Sequence, residues 1–65
     1  MNRDILKGQW TQLKGRVRKQ WGKFTDDDLD EIRGDQEILA GKIQERYGRT
    51  KDEAHKEIDR FFENA

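Results

Sequence analysis

Six glycines divide this chain into two matched ladders, Gly8, Gly15, Gly22 and Gly34, Gly41, Gly48. Each step is seven residues, and the ladders are offset by 26. The neighbours match as well: Asp4 with Asp30, Leu6 with Ile32, Lys7 with Arg33, Leu13 with Leu39, Arg16-Val17 with Lys42-Ile43, and Trp21-Gly22 with Tyr47-Gly48. Phe24 has no counterpart, and Thr25-Asp26-Asp27-Asp28 then recurs as Thr50-Lys51-Asp52-Glu53. Such self-similarity at a fixed period marks an internal duplication. It predicts one domain over residues 1–65, with pseudo-repeats at about 4–29 and 30–54.

The apolar residues supply the secondary structure. Leu6, Trp10, Leu13, Val17 and Trp21 are spaced 4, 3, 4 and 4 apart, which is one face of a helix. Gly22 follows, where a left-handed C-terminal cap favours glycine. Thr25 with Asp28 three residues later reads as a capping box, and Thr50 with Glu53 repeats it. Asp26, Asp27 and Asp28 then occupy a first turn, where the helix dipole stabilises acids. Leu29 and Ile32 give that short helix an inward face, and Gly34 ends or bends it. Leu39, Ile43 and Tyr47, with Ile38 beside them, form the next stripe, which Gly48 stops. Ala54, Ile58, Phe61 and Phe62 line the last helix. Residues 2–7 form an extra turn or fray.

The expected fold is all-α, a small bundle of two packed α-hairpins with four or five helices. The long helices span about 9–21 and 35–47. Packing across a pseudo-twofold axis would bury Trp10, Val17 and Trp21 against Ile43, Tyr47, Ile58 and Phe61. Trp21 and Tyr47 occupy equivalent positions and are expected to be paired core residues. Gly15 and Gly41 fit less easily, because each lies nearly opposite its own apolar stripe. They are relics of the duplication, sites of close approach by a partner, or bends.

Composition limits the chemistry. A chain of 65 residues buries only about 60% of its unfolded surface and has little room for an enclosed cavity. Hydrophobic residues make up 31%, charged residues 43%, and the mean hydropathy is −1.32. These values favour disorder, and the regular pattern opposes it. Without cysteine there is no disulfide or thiolate site. No apolar run approaches the ~20 residues of a membrane span. No apolar leader is visible at the N-terminus, so a cytoplasmic location is expected.

Catalytic and metal-binding patterns fail on inspection. Asp26, Asp28, Asp30 and Glu37 match calcium-loop positions, but the required glycine is Glu31 and the apolar position is Arg33. His55 is the only histidine, with no cysteine to share a metal and no serine anywhere to activate. The reading is no enzyme, no metal and no cofactor.

Charge is segregated although the net charge is zero. Residues 1–25 carry seven cations and one acid, and residues 26–37 carry seven acids and one cation. The two segments neutralise each other within the fold, or the basic one forms a binding surface. Arg3, Lys7, Lys14 and Arg18 lie along one flank of the first long helix, with Arg16, Lys19 and Lys23 elsewhere around it. Such a flank could track phosphates. A basic amphipathic helix on a membrane fits less well, because its apolar face is committed to the core.

The stretch Gly8-x-Trp10-x-x-x-Lys14-Gly15-x-Val17-x-x-x-Trp21-Gly22-Lys23-Phe24-Thr25-Asp26-Asp27-Asp28 resembles the signature of the CsbD-like family of small bacterial general-stress proteins. Leu39 to Gly48 resembles its second half, and the similarity spans roughly residues 2–60. The resemblance implies a cytoplasmic, stress-induced bacterial protein with an architecture similar to the SAM-like bundles. It supplies no mechanism.

The leading expectation is therefore a non-enzymatic stress-response protein, a monomer that binds or protects, with a composition similar to hydrophilins. The alternatives are a small nucleic-acid-binding module and a helical adaptor for a protein partner. Contact residues for either are Arg3, Lys7, Lys14, Gly15, Arg18 and Gly41.

Overall fold

The computed structural model describes residues 3–64, with side chains from Ile5 to Asn64. Among these residues there are five helices and no strand: α1 (Arg3–Gly8), α2 (Trp10–Gln20), α3 (Asp26–Ile32), α4 (Gln36–Tyr47) and α5 (Lys51–Asn64). The radius of gyration is 10.4 Å.

Local chemistry accounts for most helix boundaries. α1 forms a helix, and α2 follows after a break at Gln9, whose side chain makes no cap. α3 begins at a complete capping box. Asp28 N–H donates to Thr25 Oγ1 at 3.1 Å, and Thr25 N–H donates to Asp28 Oδ2 at 3.0 Å. α5 repeats it: Glu53 N–H donates to Thr50 Oγ1 at 3.1 Å, and Thr50 N–H to Glu53 Oε1 at 2.8 Å. α4 starts on Asp35, whose Oδ1 accepts from the N–H groups of Glu37 and Ile38.

The helix ends divide into two kinds. α3 stops on left-handed Arg33 and Gly34, and α4 stops on left-handed Gly48. α2 does not end this way, contrary to the expectation for Gly22, whose φ is not positive. Trp21 N–H closes onto the Val17 carbonyl, and Phe24 N–H closes a turn onto the Trp21 carbonyl. That turn brings Phe24 back into the core and removes the need for a left-handed cap.

The core contains thirteen buried apolar side chains drawn from all five helices and the α2–α3 turn. Trp21 stacks at 5.4 Å from Phe61, as the expected packing requires. Tyr47 differs from the expectation: it is half-buried at the core edge, and its hydroxyl accepts the Lys23 N–H at 3.0 Å. Phe24, the residue without a repeat partner, fills the intervening space, 6.0 Å from Trp21 and 6.1 Å from Tyr47. Trp10 is also half-buried, and Ile38 is exposed. α4 packs against both α5 and α3, and α1 against both α2 and α4.

Candidate functional site

The flank of α2 that the sequence singles out is shared with α3. Lys14 Nζ lies 3.6 Å from Asp30 Oδ1, and Arg18 pairs with Asp26. The two pairs sit one turn apart on each helix and run in opposite directions, as antiparallel neighbours require. Lys7 is separate from them. It is exposed and lines a cleft with Arg33, Gly34, Gln36 and Ile38. The Arg3 side chain lies outside the described residues. Gly15 and Gly41 are exposed, and a Cβ on either would meet nothing within 4 Å.

The most strongly perturbed ionisable group is Asp28, which is buried. Arg46 donates to it twice, from Nε and Nη2 at 3.0 Å each. Lys42 Nζ lies 3.2 Å from the same carboxylate and also pairs with Glu31. The Arg46 bond, then the Thr25 N–H, hold the Asp28 carboxyl below the usual carboxylate range against the cost of burial. Glu31 first, then Asp28, raises Lys42, and Asp28 raises Arg46. This cluster joins the start of α3 to the end of α4, and its charges satisfy one another.

The matched positions of the sequence pair that cluster with a second place. Lys42, Arg46 and Asp28 correspond to Arg16, Gln20 and Glu53. Gln20 and Glu53 do come together, in an open groove between α2 and α5 that Arg49, Lys56, Glu57 and Arg60 also line. Gln20 also lines an adjoining groove with Arg16, Lys19, Phe61 and Asn64. Glu53 is held below its usual range by Thr50, with smaller contributions from the charges of Arg49 and Lys56. Glu57 accepts from Arg49 Nε at 2.9 Å and from the Trp21 indole N–H at 3.3 Å. Sequence reasoning did not single out Lys56 and Arg60. They occupy an exposed helix face, where only the α2–α5 register reveals their neighbours.

Among the described residues no group of His, Cys, Asp and Glu is arranged to hold a metal ion. No helix there is long and apolar enough to cross a membrane.

These features define a small all-helical domain built on recurring capping boxes. The family model described as CsbD-like matches residues 4–56, and the chain belongs to that family. It is 58% identical over 59 residues to the UPF0337 protein YjbJ of Escherichia coli O6:H1 strain CFT073, covering 91% of this chain and 86% of that protein. It is 51% identical over 63 residues to a UPF0337 protein of Bordetella pertussis strain Tohama I, covering 97% of this chain and 96% of that protein. YjbJ of Salmonella typhimurium strain LT2 is 55% identical over 58 residues, covering 89% and 83%. No solved structure matches the chain.

Proposed function

We propose that this is a non-enzymatic bacterial stress-response protein that acts through its hydrated surface, protecting other macromolecules. The carrying observation is the separation of apolar from charged groups. Thirteen apolar side chains are buried, and the exposed large apolar side chains among the described residues are Ile5 and Ile38. The surface is correspondingly rich in charge, at 43% of the sequence with a net charge of zero. Such a particle retains water and offers little sticky area at high concentration.

The carboxylates support binding or protection over turnover. Asp28 and Glu53 are both pushed towards the ionised form by caps and cations. A general acid or base working near neutrality needs the opposite shift. The same reading takes the fold as two hairpins, α2–α3 and α4–α5, derived by duplication, and a cytoplasmic monomer as the working form. The equivalent placement of Arg46 with Asp28 and of Gln20 with Glu53 supports that reading.

Drying and rehydrating unrelated client enzymes tests this function. Recovered activity should rise with the mass ratio of this protein to client and should not depend on the client chosen. Recovery no better than with an equal mass of an unrelated folded protein would overturn it.

A further inference from the structure

α2 carries cations on two sides, and the fold treats those sides differently. On one, Lys14 and Arg18 meet Asp30 and Asp26 of α3. On the other, Arg16 and Lys19 line a groove with Phe61 and Asn64 of α5, and this groove adjoins, at Gln20, the one lined by Lys56 and Arg60. Among the described residues none of these four cations forms an ion pair. A fifth, Arg49, is bound to Glu57. The two carboxylates lining the groove are already engaged: Glu53 caps α5, and Glu57 holds Arg49 and the Trp21 indole. Five cations against two carboxylates leave the two adjoining stretches of the α2–α5 groove at +3 together.

The duplication explains why this groove stays open. At the equivalent place between α3 and α4, Arg46 and Lys42 close onto Asp28. Here Gln20 stands where Arg46 would, with no charge to offer Glu53, and Arg16 makes no ion pair. The α3–α4 seam satisfies its charges internally, and the α2–α5 seam presents them to solvent.

We propose that the α2–α5 groove binds the phosphodiester backbone of a nucleic acid without reading its bases. Arg16 with Lys19 and Lys56 with Arg60 each repeat a cation after about one helical turn, about 5.4 Å along the axis. Two walls of repeated charge suit a continuous polyanion better than one small anion. Phe61, the aromatic residue lining the groove, is buried, so no stacking platform is offered. An anionic membrane fits less well, because the exposed Ile5 and Ile38 do not line the groove. The zero net charge limits long-range steering, so contact is short-ranged and salt-sensitive. The proposal goes beyond the protective reading, which needs no ligand.

The test is a fluorescence-anisotropy titration across salt concentration with labelled single-stranded RNA and labelled duplex DNA. Phosphatidylglycerol vesicles provide the third arm. Four phosphate contacts give a slope of log affinity against log salt of about −3 to −4. Lys56→Gln with Arg60→Gln should make that slope shallower by about 2 and weaken low-salt binding about tenfold or more. Lys14→Gln with Arg18→Gln should leave affinity within about twofold, because those cations serve α3. Circular dichroism confirms that both variants remain helical. In amide spectra, the Trp21 indole N–H should move on binding, because its acceptor Glu57 lines the groove. The Trp10 indole should stay in place. Absence of binding to both nucleic acids at low salt overturns the proposal. So does binding to vesicles alone, or equal loss from the Lys14 and Arg18 variant.

Discussion

α2 and α3 face each other through charge, whereas α4 and α5 meet through close packing. The first pair is laced by Lys14–Asp30 and Arg18–Asp26. The matched positions of Lys14, Arg18 and Asp26 are Ala40, Gln44 and Lys51, which cannot rebuild the ladder. α4 and α5 instead bury Ala40 and Ala54, whose small side chains permit close helix approach. Exposed ion pairs contribute about 0–1 kcal/mol each, so the second half should carry more of the stability. The α4–α5 half should then be the firm one, and the α2–α3 half the one whose surface charges are free to diverge.

Equivalent positions give the sharpest test of that comparison. Trp21 is buried among Phe24 and Phe61, while its counterpart Tyr47 is half-buried. Trp21→Ala should cost about 3–5 kcal/mol and largely unfold so small a domain. Tyr47→Ala should cost clearly less. Urea midpoints of the two variants decide it, and equal losses would restore the symmetric core that the repeat alone suggests.

The next contrast sets Gly34 against Gly8. Gly34 has φ +82°, and a Cβ there would lie 2.8 Å from Lys7 Cα and 2.9 Å from the Leu6 carbonyl oxygen. Both neighbours are backbone, so neither can swing aside. Gly34→Ala should destabilise by about 1–3 kcal/mol. Gly8 has open space around it, and Gly8→Ala should be close to neutral. If thermal melts show the two variants equally unstable, α1 does not pack against the α3–α4 turn.

Acid should separate the halves as well. Arg46 foremost, then Thr25, lowers the Asp28 pKa in the folded chain, whereas the unfolded value is about 3.9. Stability from this site is therefore complete above the unfolded value and is lost as pH falls below it. Asp28→Asn should weaken the protein at neutral pH and flatten its decline between about pH 5 and pH 2. Glu53→Gln should do less, because Glu53 is exposed and its lowered pKa comes mainly from Thr50. Denaturant midpoints over a pH series measure both. An unchanged acid decline in Asp28→Asn would show that the cluster is not its source.

What was legible in the sequence was local. Helices expected at about 9–21 and 35–47 run Trp10–Gln20 and Gln36–Tyr47. The two capping boxes formed because their partners are three residues apart. Gly22 misled because its context copies that of Gly48, yet the loop after it is one residue longer and closes through Phe24. The charge pairings were not legible. Arg46 reaches Asp28 across 18 residues, and Lys56 and Arg60 share a groove with Gln20 from the far end of α2. Charges on exposed helix faces carry no periodic signal, so only the packing of the helices reveals which are satisfied.

The smallest expected effect belongs to the mid-helix glycines, one in each half. Gly15 and Gly41 are exposed, lie within continuous helices and have no positive φ. A Cβ at either position enters open space. Glycine inside a helix is less favourable than alanine by up to about 1 kcal/mol, partly through unfolded-state entropy. Gly15→Ala and Gly41→Ala should each raise the denaturant midpoint by an amount within that limit. The change in α4 should add to the firm half, and the change in α2 to the open one, so the double variant should be close to additive. A lowered midpoint in both single variants would mean that each glycine meets a structural need beyond open helix. A raised midpoint combined with weakened nucleic-acid binding in Gly15→Ala alone would extend the contact surface around α2 towards that residue.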